Sequence, residues 1–367
     1  MVWNPFRLLK TLAHFEVAGP LSKGLGALST LVEGDRGTPY PANSEILPMD
    51  RLEPSPLPLD LRLLGNADLA QRLADSISPL GYSVNTAALD PGQGLVNTPL
   101  VVLTPGAENV IQTLIQQLGH LPTYQEAMLS DFRQPHRAIA ALWGSLDDGV
   151  MGGVSASQVQ WHEQGLWFGG QVSTANNGGF ASIRTRNIDP PLNLGQWQGT
   201  VLHAQGDGQR YKWILRDTPG WDSLAYCQSF DTDTESPVTV RTLFREMVAT
   251  RRARTVPDAS ALNPAQIYSM QLMLSKFEYD GALNPAFQAG AFELTVQSVG
   301  LYRQGPKPLV VLPQGLAALG SELAAAGLTG VIPQGDSFEV IGASDQLPPP
   351  VSPAVVEAIL QALASDS

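Results

Sequence analysis

The hydrophobic period of this chain changes twice, and that constrains its fold more than any other feature. Between Leu59 and Gln117, short apolar runs alternate with helical spacing. Leu59–Leu64, Tyr82–Leu89 and Leu100–Leu103 read as strands, and Ala67–Ser78 and Glu108–Gln117 as helices. Strands that alternate with helices imply a parallel sheet with right-handed crossovers. From about residue 143 the helical period fades. Gly165–Val172, Phe180–Thr185, Gly199–Ala204, Tyr211–Leu215, Val238–Thr242, Ser269–Leu274 and Phe292–Leu301 are short alternating runs separated by turn residues, the pattern of an all-β sandwich. After Arg303 the first pattern returns, with Pro308–Leu312, Gly330–Pro333 and Ser337–Ile341 as strands and Leu316–Ala326 and Pro353–Ala364 as helices. The tail alone is too small for a good core. The expected architecture is therefore an α/β domain interrupted by a β-sandwich.

The expected divisions are an amphipathic helical segment over residues 1–33, a Pro/Gly-rich linker over 34–58, a leading Rossmann-like α/β segment over 59–134, the sandwich over 135–303, and a trailing α/β segment with a final helix over 304–367. The N-terminal stripe from Phe6 to Leu31 is broken at Gly19-Pro20 and carries Arg7, Lys10 and Lys23. It suits a docked helix or an interfacial anchor on a membrane surface. No apolar run reaches the roughly 18–20 residues that span a bilayer, and the start has no signal-peptide pattern. A single cysteine, Cys227, leaves no internal disulfide partner and fits a reducing compartment. The net charge of −12 argues against whole-surface binding to nucleic acid. The only basic cluster is Arg241, Arg245, Arg251, Arg252 and Arg254; a solvated face is its default reading, and an acidic partner, RNA or anionic lipid its functional one.

A dinucleotide site needs glycines at the first strand-to-helix turn, so that a pyrophosphate can approach backbone N–H groups. Here that turn is Leu63-Leu64-Gly65-Asn66-Ala67-Asp68, with one glycine and an added carboxylate. Asp90 follows the second strand, where a ribose-binding acid could fall. None of the eight tyrosines has a lysine four residues later, and Tyr211-Lys212 places the pair on opposite faces of a strand. The histidines form no ligand spacing, and no nucleophile elbow occurs. The expectation is a Rossmann-like scaffold without cofactor, metal or catalytic constellation.

Four segments of the middle region stand out. They are Trp143–Ser155, which contains Asp148-Gly149-Val150-Met151-Gly152-Gly153; Asn176-Asn177-Gly178-Gly179-Phe180-Ala181-Ser182-Ile183-Arg184; Gly206-Asp207-Gly208-Gln209-Arg210-Tyr211; and Gln271–Gly281 with Asn284-Pro285 and Gly290–Leu294. Together they resemble the complex I intermediate-associated protein family, whose pattern is a DGVMGG turn, a GGF-S-R strand and a GDG-RY hairpin. The resemblance implies a galactose-binding-like jelly-roll sandwich. The fourth segment, Met1–Glu16 and the flanking α/β halves look like the cyanobacterial and chloroplast proteins in which this sandwich is inserted in an atypical short-chain-dehydrogenase scaffold. One plant member supports translation of a photosystem II reaction-centre message, and mitochondrial relatives assist assembly of complex I. The missing glycine-rich turn leaves any cofactor role of that group behind.

The function implied is a non-catalytic assembly factor. It would bind protein subunits of a photosynthetic or respiratory membrane complex from the cytoplasmic or stromal side, as a peripheral protein. The partner face is expected at Asp148, Gly149, Met151, Gly152, Gly153, Asn177, Gly178, Gly179, Phe180, Arg184, Asp207, Arg210 and Tyr211. Arginine and aromatic residues are frequent interface anchors, although Gly149, Gly152 and Gly153 also suit a tight structural corner. Asp147 and Asp148 suit capping of a turn. Arg184 or Arg210 could pair with Asp148 or Asp207 inside the fold. The alternatives are a nicotinamide-dependent redox or regulatory protein on the α/β scaffold, and a carbohydrate-binding module by analogy of fold.

Overall fold

The structure is a computed structural model that describes residues 53–364, apart from 93, 105–107, 135–136, 221–222 and 336. The N-terminal segment 1–33 and most of the 34–58 linker lie outside the described residues. The chain divides into two compact units: Met128–Tyr302 falls in one, and Pro56–Ala127 with Arg303–Ser367 makes the other.

The second unit is built on one sheet in the order Tyr82–Asn85, Leu59–Leu64, Leu100–Leu103, Leu309–Val311, Thr329–Gln334, Ser337–Gly342. The first five strands are parallel and the last is antiparallel. Leu309–Val311 lies beside Leu100–Val102 in register, so segments from both sides of the sandwich share this sheet. Leu100-Val101-Val102-Leu103 is buried throughout, as the unbroken apolar run requires of a strand covered on both faces. Leu100 and Val102 join Leu73, Ile77, Val356 and Ile359 of the helices Ala70–Ile77 and Pro353–Ala364. Val101 and Leu103 join Ile111, Ile115, Leu118 and Leu323 of the helices Glu108–His120 and Gly320–Ala325 on the other face. The strand expected over Tyr82–Leu89 stops at Asn85, whose side chain accepts from the Ala87 N–H and turns the chain.

The first unit is two antiparallel sheets closed over one core. One joins Ala156–His162, Gly165–Val172, Gly290–Gln304, Gly199–Gly206 and Val238–Leu243. The other runs Arg254–Thr255, Val248–Arg251, Ala225–Asp231, Arg210–Arg216, Ser269–Ser275, Phe180–Thr185, Trp143–Ser145. Phe168, Leu202, Leu294 and Val296 of the first sheet meet Ile183, Tyr211, Trp213, Leu272 and Leu274 of the second. Trp213 carries its indole N–H into this core and donates it to Thr200 Oγ1 at 2.9 Å, which satisfies the one polar atom of the ring. The alternating residues of the second sheet point outward: Lys212 and Ile214 on one strand, Cys227 and Ser229 on the next.

Candidate functional site

Asp147 and Asp148 sit side by side at the start of the short 3-10 turn Asp148–Met151. Asp147 is extended, so the two carboxylates diverge. Asp147 accepts from Ser157 N–H at 2.8 Å, Ser157 Oγ at 2.5 Å and Ser182 N–H at 3.1 Å. Asp148 accepts from Ser155 N–H at 2.9 Å, Ser155 Oγ at 2.6 Å, Gly179 N–H at 2.7 Å and, weakly, Phe180 N–H at 3.3 Å. Each carboxylate therefore ties the turn to two other segments. Gly153 and Gly178 make room for this: a Cβ would lie 2.3 Å from Asp148 at the first and 2.4 Å at the second. Gly152 closes the turn at φ 90, a left-handed conformation that glycine adopts without strain. Met151 at the apex is 79% exposed.

The third motif is organised in the same way. Asp207 accepts from Gln209 N–H and Nε2, from the Glu293 N–H at 3.1 Å and from the Tyr211 hydroxyl. Tyr211 is fully buried, its hydroxyl within 3.0 Å of Asp207 Oδ1 and 3.1 Å of Glu293 O. Burial, reinforced by Asp207, pushes that phenol well above its ordinary range. Arg210 makes a bidentate pair with Asp231, Nε to Oδ1 and Nη2 to Oδ2, both at 2.7 Å. This hydrogen-bonded pairing raises the guanidinium and lowers the carboxyl. Arg184 is buried on the outer side of its sheet, where desolvation and the charge of Arg216 push it down to about 9.

These positions sort the thirteen expected partner residues. Asp148, Gly179 and Phe180 are brought together by the hydrogen bonds above, and Gly153 and Gly178 lie close against the Asp148 carboxylate, with Met151, Gly152 and Asn177 exposed and Gly149 half-buried. The expectation that Tyr211, Arg184 and Asp148 touch a partner is corrected, because all three are buried within the fold. The pairing of Arg210 with Asp207 or Asp148 is corrected as well, since Asp231 takes its place. The aspartates do more than cap their own turns, because their donors come from up to 35 residues away.

Sequence reasoning placed Lys276, Phe277 and Asn284 in the fourth motif but not on the partner face, and it passed over Leu283. The Lys276 N–H bonds Gly179 O at 2.8 Å, which joins the fourth motif to the second. Phe277 and Leu283 pair across a small hairpin and are 36% and 72% exposed. Lys276 Nζ lies 4.9 Å from the Phe277 ring centroid, within cation–π range. Buried Asn284 donates to both Arg210 O and Ser275 O at 2.9 Å, which joins the third motif to the fourth. The hairpin is clamped to the sheet by Lys212, whose Nζ donates to Phe277 O at 2.7 Å and Glu278 O at 2.6 Å. Burial lowers the Lys212 ammonium, and nearby Glu278 partly offsets that. Among the described residues of this unit, every exposed large apolar side chain — Met151, Phe277 and Leu283 — therefore lies along one connected set of turns. The sequence showed the turn-forming pair Asn284-Pro285 just after Phe277 and Tyr279, but not that Leu283 beside it stays exposed.

A mostly parallel sheet covered by helices on both faces offers one place where a dinucleotide could lie. Its strand order reverses between Leu59–Leu64 and Leu100–Leu103, and a crevice at such a point is where a ligand would bind. Thr104 Oγ1 accepts the Asn66 N–H there at 2.6 Å, and Asn66 Oδ1 accepts the Asp68 N–H at 2.9 Å. Two of the backbone donors that would meet a pyrophosphate, the Asn66 and Asp68 N–H groups, already have partners, and Asp68 adds negative charge. A Cβ on Gly65 would lie 2.0 Å from Thr104 Oγ1, so this glycine admits a threonine rather than a phosphate. The residues do not fit the group. Asp90 accepts the Gly92 N–H at 2.8 Å and closes its own turn. Among the described residues, no cluster of three or more His, Cys, Asp or Glu is placed to hold a metal, and no helix is long and apolar enough to cross a membrane.

Residues 130–296 match the family model described as Complex I intermediate-associated protein 30 (CIA30). No curated protein matches the sequence. Among solved structures, similarity is found to a family 11 carbohydrate-binding module from Clostridium thermocellum in complex with a mixed-linked tetrasaccharide, at 18% identity and TM-score 0.34, covering 48% of this chain and 94% of that one. An agarase is similar at 8% identity and TM-score 0.32, covering 49% of this chain and 25% of that one. At such values the likeness says nothing about what this chain binds.

Proposed function

Since residues 130–296 are a domain of the complex I intermediate-associated family, we propose that this protein is a non-catalytic assembly factor. It holds protein subunits while a respiratory or photosynthetic membrane complex is built. It works from the cytoplasmic or stromal side and touches the membrane, if at all, only peripherally. The α/β unit is then a degenerate short-chain-dehydrogenase-like scaffold, and the sandwich a galactose-binding-like jelly roll that carries the working surface.

The observation that carries this reading is the rim of Met151, Asn177, Phe277 and Leu283, with Lys276 among them. The motif carboxylates that could have served chemistry are engaged in holding that rim instead. Exposed apolar side chains on a pre-shaped scaffold suit protein recognition. The test is capture of membrane-complex subunits by the tagged full chain, compared with Met151→Asp and Leu283→Asp. Defined subunits should be lost tenfold or more from the variants, about 1.4 kcal/mol, at unchanged melting temperature. Equal capture by all three proteins would sink the assignment of this face. Saturable NAD(P)H binding in a fluorescence titration would revive a redox role.

A further inference from the structure

The basic cluster of the sequence does not survive folding as one patch. Arg241 lies within the Val238–Leu243 strand, opposite Val201. Arg245 stands on the short Phe244–Glu246 turn, 3.9 Å from the Glu246 carboxylate. What remains is a tight hairpin in which Arg251 and Arg254 are direct cross-strand partners and Arg252-Ala253 forms the connection. All four residues are exposed.

Two features of this hairpin work against its stability. Like charges directly opposite in an antiparallel pair repel. Both connecting residues are left-handed, Arg252 at φ 51 and Ala253 at φ 60, as a two-residue primed turn requires. Asn-Gly is the pair that fits such a turn without strain. Local choices that oppose the fold collect at functional positions. Nearby Asp280 attracts Arg254 through its charge, while its two oxygens accept Thr255 N–H at 2.8 Å and Thr255 Oγ1 at 2.6 Å. The Asp280 N–H also donates to Ala253 O at 3.0 Å. That bond docks the tip of the Phe277–Leu283 hairpin on the arginine turn.

We propose that the Arg251–Arg254 turn recognises an acidic segment of a partner protein, which continues along the neighbouring hairpin toward Phe277 and Leu283. The chain carries a net charge of −12, so a long phosphate polymer or a flat anionic membrane would meet a repulsive field. A short acidic segment reads only the charges within a Debye length, about 8 Å at physiological salt. The apex Arg252-Ala253 carries no large apolar side chain for insertion into lipid. Among the described residues, the one exposed aromatic of this surface, Phe277, already has a lysine over its ring, which leaves no stacking platform for bases there. The proposal rests on the reading of the sandwich as a protein-binding unit and names a second contact for it.

The probe is a fluorescein-labelled peptide of alternating glutamate and serine, titrated by anisotropy into the full chain at 50 and 200 mM salt. Binding should weaken with salt, fall at least fivefold in Arg254→Glu, and stay within twofold of wild type in Arg186→Glu. Arg186 is an exposed arginine elsewhere on the same unit. Two turn variants separate recognition from folding. Ala253→Gly keeps every arginine and should melt higher while binding as before. Arg252→Asn should also melt higher but bind more weakly. The proposal is overturned if Arg254→Glu binds like wild type, or if an oligouridylate or phosphatidylserine vesicles bind tenfold more tightly than the peptide. Loss of captured subunits in Met151→Asp with full capture by Arg254→Glu would remove this contact and leave the broader reading intact.

Discussion

Removing the Asp148 carboxylate should cost the sandwich several kcal/mol even though the group sits in the surface-turn motif. Asp148 is 2% exposed and accepts from two backbone N–H groups at 2.9 Å or less, from a hydroxyl at 2.6 Å, and from a third N–H at 3.3 Å. Asp148→Ala leaves the Ser155 and Gly179 N–H groups buried without this acceptor. Each such orphan costs about 1–3 kcal/mol. Relief of the buried charge returns part of that, so a net loss of about 3 kcal/mol is expected. Asp148→Asn keeps one acceptor oxygen but turns an NH2 toward donors, and should lose about 2 kcal/mol. The contrast is Asp231→Asn, which breaks a pair whose carboxylate side chain is 63% exposed and should cost less than about 1 kcal/mol. The assay is urea unfolding of the full chain, followed by the tryptophans of the sandwich, with the transition midpoint compared at constant slope. If Asp148→Ala costs under about 1 kcal/mol, or no more than Asp231→Asn, then the carboxylate is not the staple described here.

Three further outcomes follow from the same geometry. Tyr211→Ala should lose about 3–5 kcal/mol by opening a core cavity, and Tyr211→Phe about 1–2 kcal/mol through the lost contacts to Asp207 and Glu293; equal midpoints for wild type and Tyr211→Phe would show that the hydroxyl contributes nothing. Arg210 holds the Asp231 carboxyl below the ordinary carboxylate range, so its contribution is fully present above the unfolded value of about 3.9 and is lost as pH falls through the lower folded value; carboxyl NMR should place the Asp231 midpoint below that of Asp231 in Arg210→Ala. Cys227 is 4% exposed and burial pushes its thiol up, so the native protein should react with a disulfide reagent no faster than it opens, and a stoichiometric reaction within seconds would contradict its placement.

Much of the fold was legible because period and burial agree. Leu59–Leu64, Leu100–Leu103, Gly165–Val172, Phe180–Thr185 and Pro353–Ala364 occupy the spans their patterns indicate. The strands that escaped notice failed on pattern, not on position. In Ala225–Asp231, Gln228 shares a face with Tyr226 and Phe230, so the polar residue interrupts the expected alternation. Ala156–His162 is an edge strand whose alternating face carries only two large apolar residues, Val159 and Trp161, a signal too short to stand out. The motifs could be found in the sequence, but their roles could not. Adjacent aspartates predict opposite directions, yet their partners Ser157, Ser182, Ser155 and Gly179 are fixed only by strand packing. Arg210 illustrates the same limit: its partner Asp231 is the directly opposite residue of the next strand, a register that only the folded sheet defines.

On the proposed reading, the motif residues serve stability and recognition at once, in different atoms. A sandwich that needed only a corner at Asp148–Met151 could close it with Gly152 and place any polar residue at the apex. Here the apex is a methionine that is 79% exposed, which forgoes the roughly 1.5–3 kcal/mol a buried large apolar side chain contributes. The same is true of Leu283 on the hairpin that Lys212 clamps. The buried carboxylate beneath Met151 and the buried ammonium beneath Phe277 and Glu278 fix the backbone from which those side chains project. Fixing it before a partner arrives lowers the conformational entropy lost on binding, about 1–2 kcal/mol for each residue whose backbone need not be ordered then. A buried charge held only to shape a corner would be a costly device for a turn that glycine alone can make. Its cost is understandable where the turn must hold one conformation while an exposed apolar surface waits to be covered.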